Sequence, residues 1–238
     1  MADAGNQGTA VVVPPKMPKW EADARERVKV GIRKFSKPLA EFLTRDANEG
    51  DTRLLVTDFL SDALGFDKFT DLATEYMVKG EFADFGVRID KQLVAFIEVK
   101  RVATKLNQKH LRQVEMYAVN EGVEWMILTN GAQWQAYHLM PGMPVSIDLA
   151  LDVDLLGPDQ PAKKADSLYY LTREALKRHL IDDLWKAKRT SAPKAIAQIL
   201  SSPAVVTVVR KELGRQGYRA TDGDVAALVR AAIRSDCQ

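Results

Sequence analysis

The stretch LVAFIEVK (93–100) constrains the fold of this chain more than any other. In an extended strand successive side chains point to opposite faces, and the first, third, fifth and seventh side chains here are all apolar. The other face begins with valine and phenylalanine and ends in Glu98 and Lys100. Since a strand that is apolar on both faces must be covered on both, we expect a sheet with helices packed on it.

On both sides of this stretch, the spacing of apolar residues changes between that of helices and that of strands, as a sheet covered by helices requires. Apolar residues recur with helical spacing over 20–44, interrupted around Pro38, and over 48–65, where Asn48 is a plausible helix cap. Strands are predicted at 70–79, 82–89, 93–100, 125–129 and 133–139, with a helix at 105–121 between the third and the fourth. This order predicts an α/β (α+β) fold, with a mixed central sheet flanked by helices.

The chain divides into four expected parts. Residues 1–18 are small, polar and rich in proline, which is typical of a disordered tail. Residues 19–150 form the α/β domain with its N-terminal helix, 151–165 look like a linker, and 166–238 have the pattern of a helical lobe. Two helices of that lobe are joined by GRQGYRAT. We interpret them as a packing or dimerisation lobe, with DNA binding as the alternative.

Composition excludes several classes of protein. The net charge of +2 does not indicate a nucleic-acid partner, so only local clustering of charge can do so. The single Cys237 cannot form an internal disulfide, and the three histidines lack the spacing of zinc ligands. The N-terminus is not a signal peptide and no segment approaches 18 uncharged apolar residues, so we expect a cytoplasmic protein that does not enter membranes. We also expect no ATP binding, because the chain has no G-x4-G-K-[S/T] phosphate loop.

Three charged side chains on two neighbouring strands form a candidate catalytic site. Glu98 and Lys100 share one strand face, and a turn near residues 90–92 would place Asp84 opposite positions 97 to 99. Burying such charges is costly unless they are paired or bind an ion. Carboxylates suit Mg²⁺ or Mn²⁺, which can activate a water and polarise a phosphodiester. We therefore predict that Asp84, Glu98 and Lys100 are catalytic, with the two carboxylates as metal ligands.

Two alternatives for these acids stay open. Glu-x-Lys by itself is common and fits a plain surface salt bridge, but its place on a doubly apolar strand, fourteen residues after Asp84, favours the catalytic interpretation. Glu49 is a further candidate metal ligand. It could equally be an ordinary acid in the first turn of a helix, where the helix dipole favours negative charge.

Positive charge is concentrated just after the candidate site. Residues 100–112 contain five Lys or Arg and no Asp or Glu. A phosphate backbone requires such a surface, so we predict that Arg101, Lys105, Lys109 and Arg112 contact nucleic acid. The alternative is a solvated helix face. On the same helix, His110, Gln113 and Tyr117 fall on one polar stripe.

Residues 49–139 resemble the N-terminal nuclease domain of type I restriction enzyme R subunits, within the PD-(D/E)xK superfamily. The helical acid before the core of that domain corresponds to Glu49. The other matching pieces are Ala83-Asp84, Glu98-Val99-Lys100, the Q-x3-Y run from Gln113 to Tyr117, and Thr129-Asn130-Gly131-x-x-Trp134. One departure is Ala83, which stands where the superfamily has its proline.

The resemblance implies specific roles for these residues. Asp84 and Glu98 would bind the metal, with the Val99 carbonyl as a third ligand and Lys100 as the catalytic lysine. Gln113 and Tyr117 would contact DNA or support the site. Because the chain has no helicase motor, the resemblance implies a stand-alone nuclease module, or one that works with a separate specificity or motor subunit. A homodimer partner is a further possibility.

Three functions follow as hypotheses. The first is an Mg²⁺-dependent DNA endonuclease in restriction or phage defence. The second is a catalytically inactive protein with a nuclease fold, which binds nucleic acid or a partner chain. The third is an interaction scaffold that works through its C-terminal helices. The complete set of Asp84, Glu98 and Lys100 favours the first, because an inactive copy is free to lose one of them.

Overall fold

The computed structural model of the chain describes residues 17–78, 81–140, 142, 145–190 and 193–232. Within these residues the chain forms one six-stranded sheet in the order β1 to β6. The strands are β1 (Leu72–Val78), β2 (Glu81–Ile89), β3 (Gln92–Val99), β4 (Trp125–Thr129), β5 (Gln133–Met140) and β6 (Ser146–Asp154). All neighbours pair antiparallel except β3 and β4, which are parallel. The predicted mixed sheet is therefore confirmed.

The turn between β2 and β3 sets the register that the candidate site needs. Ile89 pairs with Gln92, which leaves Asp90 and Lys91 as a two-residue turn, and both have positive φ (51° and 71°). Such a turn matches the right-handed twist of the two strands. At the far end of the hairpin Phe85 pairs with Ile97, so Asp84 lies next to the end of β3, as the sequence predicts.

The parallel pairing of β3 and β4 requires a crossover connection. Residues 100–124 supply it and contain a 3-10 turn (Gln108–Leu111) followed by helix α3 (Arg112–Glu121). Gly122 ends this helix in the left-handed conformation, with φ of 67°. The predicted helix at 105–121 is thus found with a later start, after a non-helical stretch that leads away from Lys100.

In the described part of the chain, two helices precede the sheet, α1 (Lys19–Thr44) and α2 (Glu49–Asp62). The Asn48 side chain accepts a hydrogen bond from the Asp51 backbone N–H (2.8 Å), which confirms the predicted cap. The predicted interruption around Pro38 is wrong, because α1 continues through this residue. Phe35 and Leu39 are buried on either side of it, and their packing outweighs the loss of one backbone donor.

The sheet is covered on both faces, as the apolar pattern of β3 indicates. One face packs against α1, α2 and the helices that follow β6, and Trp134 and Phe59 lie at the centre of that core with ring centroids 5.1 Å apart. The other face packs against the 3-10 turn and α3, with Phe96 and Met126 of the sheet in one buried cluster with Leu111 and Ala118. β3 supplies side chains to both cores, which fixes it in the middle of the molecule.

The stretch 151–165, expected to be a linker, contains regular structure. Residues 151–154 complete β6, and helix α4 (Pro161–Leu168) packs against α1. After a 3-10 turn (Tyr169–Leu171) come α5 (Arg173–Lys177) and α6 (Leu180–Thr190). Side chains from this region join the main core: Ala165, Leu168, Leu171, Leu176 and Ile181. The boundaries of the linker that were predicted at residues 150 and 166 therefore fall within packed structure. The division of the chain into folding units stays a prediction.

The remaining helices are α7 (Pro193–Leu200), α8 (Pro203–Arg215) and α9 (Asp222–Ala232). α8 and α9 pack against each other, with Val206 and Val225 buried. Thr221 and Asp224 exchange hydrogen bonds between backbone and side chain, which forms a capping box at the start of α9. Among the described residues, no helix combines the length and the apolar character needed to cross a bilayer. Of the predicted tail, only residues 17 and 18 are described.

Candidate functional site

Asp84 and Glu98 lie on neighbouring strands where β2 and β3 run side by side. Both residues are buried, with 8% and 7% of their surface exposed. The Val99 backbone N–H donates a hydrogen bond of 2.7 Å to Asp84 Oδ2, which joins the two strands at this point. The geometry therefore brings together the two acids that the sequence singled out.

Each acid is paired with a cation. Lys100 Nζ lies 2.5 Å from Glu98 Oε1, and Arg53 Nη2 lies 2.7 Å from Asp84 Oδ1. Lys100 directly follows β3, and its backbone N–H donates to the Thr129 carbonyl (2.8 Å), which extends the parallel pairing by one bond. Arg53 comes from α2 and reaches the site across the helix–sheet interface.

Burial dominates the electrostatics of the two acids. Loss of solvent raises the pKa of Asp84, although the Val99 N–H and the charges of Arg53 and Lys100 act in the opposite direction. The pKa of Glu98 is raised too, first by burial and also by the charge of Asp84. The two carboxylates are thus within electrostatic reach of each other. Because burial disfavours the charged form of both carboxylates, a cation bound at this site would stabilise that form.

Lys100 keeps its proton. Burial by itself would lower its pKa, but the hydrogen bond to Glu98 and the charges of Glu98, Glu49 and Asp84 outweigh this and raise it. The side chain therefore presents an ammonium group beside the two carboxylates, which can bind an anion or stabilise negative charge on a reacting group.

Glu49 lies in the first turn of α2 and is partly buried. Its charge acts on Asp84, Glu98 and Lys100, which places it near the site, although among the described residues it forms no salt bridge with Lys100. Within the described part of the chain, no three Asp, Glu, His or Cys side chains are grouped so that they could hold a metal ion. Metal binding by Asp84 and Glu98 therefore stays a prediction, as do the parts of Glu49 and the Val99 carbonyl.

Buried hydrogen bonds hold the loop that follows Lys100. Asn130 Nδ2 donates to the carbonyls of Val102 (3.0 Å) and Thr104 (2.9 Å), and its Oδ1 accepts the backbone N–H groups of Ala132 and Gln133. One polar side chain thus ties the start of the crossover to the turn between β4 and β5. The position of Lys100 depends on both of these segments.

The predicted nucleic-acid contacts are only partly described. Arg101 pairs with Asp46, so its charge is already engaged. Lys105, Lys109 and Arg112 are exposed, and among the described residues none of them forms a salt bridge. The side chains of Gln113 and Tyr117 lie outside the described residues, although the backbone of both belongs to α3. Contact of these six residues with nucleic acid stays a prediction.

Sequence reasoning missed two side chains at the site. Arg53 was not identified, although it falls one helical turn after Glu49 and so shares its face of α2. Glu75 was missed too, because nothing local distinguishes an acid in β1. It has a φ of 49°, which non-glycine residues rarely adopt, and its carboxylate lies 3.8 Å from Arg53.

The fold and the site agree with the resemblance seen in the sequence. A mixed central sheet is flanked by helices, and it carries acids on two neighbouring strands with a lysine two residues after the second acid. Residues 48–144, less than half of the chain, match the family model described as the type I restriction enzyme R protein N terminus. This match confirms the resemblance seen in the sequence and supports a restriction-related, nuclease-like role. No match was found among curated proteins or among solved structures.

Proposed function

We propose that this chain is a metal-dependent endonuclease that hydrolyses phosphodiester bonds in DNA and acts in restriction or phage defence. The observation that carries the proposal is the pairing of Lys100 with Glu98 beside the buried Asp84, inside the segment that matches the R-protein N terminus. Two buried acids and a protonated lysine on interior strands of a sheet are costly to fold. A catalytic role accounts for that cost.

The donor set suits a hard divalent cation. Asp84 and Glu98 would hold Mg²⁺ or Mn²⁺, with the Val99 carbonyl and Glu49 as further oxygen donors. When bound, such a cation supplies Lewis-acid polarisation of the phosphodiester and a more acidic water. The Val99 N–H orients Asp84 through a 2.7 Å hydrogen bond, and Lys100 brings a positive charge to the position where negative charge would build up on the phosphate.

The DNA strand would enter over the crossover segment. Lys105, Lys109 and Arg112 are exposed and without an acidic partner among the described residues, so their charges are available to phosphates. Binding through phosphate contacts weakens as salt is added, because counterions are released. In this proposal Arg101, Gln113 and Tyr117 complete the interface, and a separate specificity or motor subunit selects the substrate.

A plasmid-nicking assay tests the proposal. Wild type is expected to nick DNA with Mg²⁺ or Mn²⁺ and not with EDTA. Asp84→Ala and Lys100→Ala are expected to lose roughly 10²-fold or more, the usual effect of removing a group that stabilises the transition state. Matched controls are Asp159→Ala and Lys163→Ala, which remove an exposed acid and an exposed lysine at the start of α4 and should leave the rate unchanged.

The second candidate is a catalytically inactive protein that binds nucleic acid or a partner chain. It is favoured by one observation: the charges of Asp84 and Glu98 are each already balanced by a side-chain cation. It predicts that wild type retards DNA in a gel but shows no metal-dependent cleavage at any salt concentration. That result would reject the enzyme and keep the binding protein.

A further inference from the structure

Both carboxylate oxygens of Asp84 have a partner in this structure. Its Oδ2 accepts the Val99 backbone N–H at 2.7 Å, and its Oδ1 lies 2.7 Å from Arg53 Nη2. The first contact belongs to the framework of the sheet, since it joins β2 to the end of β3. The second comes from a long side chain on α2 and is the contact that a ligand can replace.

Arg53 does not form an ideal ion pair with Asp84. Its shortest contact is Nη2 to Asp84 Oδ1, and among the described residues the two side chains lack the two parallel hydrogen bonds through which arginine binds a carboxylate most strongly. Its Nε is buried and has no hydrogen-bond partner among the described residues, which is costly for a cationic donor. The side chain is 34% exposed, so its terminal group has room to move.

Glu75 offers the guanidinium a second acceptor. In the register of β1 and β2, Thr74 pairs with Phe85 and Tyr76 with Ala83, so Glu75 lies across from Asp84. Its carboxylate is 3.8 Å from Arg53 Nη1 and is largely exposed. Its unusual backbone conformation, with φ of 49°, marks the same point of β1. Arg53 thus lies between two acids on neighbouring strands.

We propose that Arg53 is the counter-cation of Asp84 in the metal-free protein, and that it competes with a divalent cation for Asp84 Oδ1. The inference rests on the proposed function, because it takes the metal to bind at Asp84. A guanidinium and a divalent cation cannot both contact one carboxylate oxygen without strong repulsion. Metal binding therefore requires the Arg53 guanidinium to turn from Asp84 toward Glu75. Arg53 thereby raises the concentration of divalent cation that is needed to occupy the site.

Mn²⁺ binding to the full chain, measured by calorimetry and by the electron paramagnetic resonance signal of free Mn²⁺, tests this role without DNA. Arg53→Gln is expected to bind Mn²⁺ about tenfold more tightly than wild type, which corresponds to about 1.4 kcal/mol. Arg53→Lys keeps the charge and is expected to stay close to wild type. Arg45→Gln is the matched control, because it removes an exposed arginine from a pair with Asp51.

Glu75→Gln is expected to change the affinity for Mn²⁺ in the opposite direction. It removes the acceptor for the displaced guanidinium, so Mn²⁺ is expected to bind more weakly than to wild type. Damage to the fold cannot imitate the tighter binding of Arg53→Gln, because a damaged site loses affinity. Circular dichroism in EDTA checks that each variant is folded.

Two results would overturn the inference in different ways. If wild type binds Mn²⁺ and Arg53→Gln binds it equally or more weakly, Arg53 does not compete and the metal site stands without it. If neither wild type nor Arg53→Gln binds Mn²⁺, while Asp84→Ala behaves as they do, the metal site itself is wrong. The competition then fails together with the proposed function.

Discussion

Buried polar side chains concentrate where β2, β3 and β4 come together. Asp84, Glu98, Thr129 and Asn130 are all buried there, and a buried polar group destabilises the fold unless it has a partner. Each of them has one, and most of the partners are backbone groups of neighbouring strands and loops. The hydrogen bonds that satisfy these residues therefore also set the shape of the candidate site.

Asn130 provides a direct test of this dependence. Asn130→Ala removes four hydrogen bonds and leaves the carbonyls of Val102 and Thr104 unsatisfied, so we expect the free energy of unfolding to fall by about 2–3 kcal/mol. Urea denaturation measures this change. Asn130→Asp keeps the acceptor and loses both donors, and it should fall between wild type and the alanine variant. Equal stability of all three proteins would contradict the assignment.

His138 on β5 predicts a pH dependence of stability. Its ring stacks on Trp185 of α6, with centroids 3.7 Å apart, and meets the edge of Trp125. Burial lowers the pKa of His138, and the opposing charges of Glu124, Asp182 and Asp148 do not compensate. The unfolded chain, with a histidine pKa of about 6.5, binds this proton more readily than the folded protein does. Stability is therefore lost as the pH falls below about 6.5.

Thermal unfolding at pH 7.5 and pH 5.5 measures this effect. His138→Phe keeps the aromatic stack but cannot take up a proton, so its melting temperature should fall less between the two pH values. A difference of about 1 kcal/mol corresponds to about 2–4 °C for a chain of this size. Identical falls in the two proteins would show that His138 does not contribute.

Among the elements, α1 approaches the end of α2 unusually closely. A Cβ built on Gly31 would lie 2.3 Å from the Ala63 Cβ, a distance that real contacts do not show. This approach brings α2 onto the sheet and so fixes the point from which Arg53 and Glu49 reach the site. The two helices can approach this closely because Gly31 carries only a hydrogen atom in place of a side chain.

Gly31→Ala is accordingly expected to destabilise the protein by about 1–3 kcal/mol, the usual cost of overpacking a core. Gly214→Ala is the matched control, since this helical glycine of α8 has open space around it. That change should stabilise the chain by about 0.5–1 kcal/mol, because alanine favours the helix. Denaturation midpoints of the two variants should therefore move in opposite directions, and a stable Gly31→Ala protein would contradict the close packing.

For the whole molecule, the helices of the C-terminal region differ in what they pack against. Ile181 belongs to the main core, and Trp125 Nε1 donates a hydrogen bond of 2.7 Å to Asp182 of α6. In contrast, α8 and α9 pack chiefly on each other and present exposed apolar side chains such as Val208 and Leu228. The two parts should respond differently to truncation.

A chain that ends after Thr190 is expected to fold and to keep any metal-dependent nicking, because it retains the sheet, both cores and the site. A chain that ends before residue 166 should fail to fold, since it loses Leu168, Leu171 and Ile181 from the core. Circular dichroism and the nicking assay compare the two. If loss of α7–α9 abolishes function while Asp84→Ala does not, the interaction-scaffold hypothesis is correct instead.

Part of this protein can be predicted from local patterns. Apolar side chains on both faces of β3 predict a strand that is covered on both sides, and the charges at its end identify Glu98 and Lys100 before any contact is known. The cap at Asn48 and the capping box at Thr221 are local as well. β6 was missed. Only the second half of SIDLALDVD is buried, with two exposed acids in it, so its pattern is weak without its partner β5.

The sequence by itself determined the order of the elements from α1 to β5, the mixed sheet and the acids and lysine of the candidate site, because these follow from patterns within a few residues. Only the tertiary structure decided that Arg53 lies between Asp84 and Glu75, and that Trp185 of α6 covers His138 of β5. These contacts join residues far apart in the chain. They depend on how helices are placed on the sheet, which is decided by the packing of the whole core.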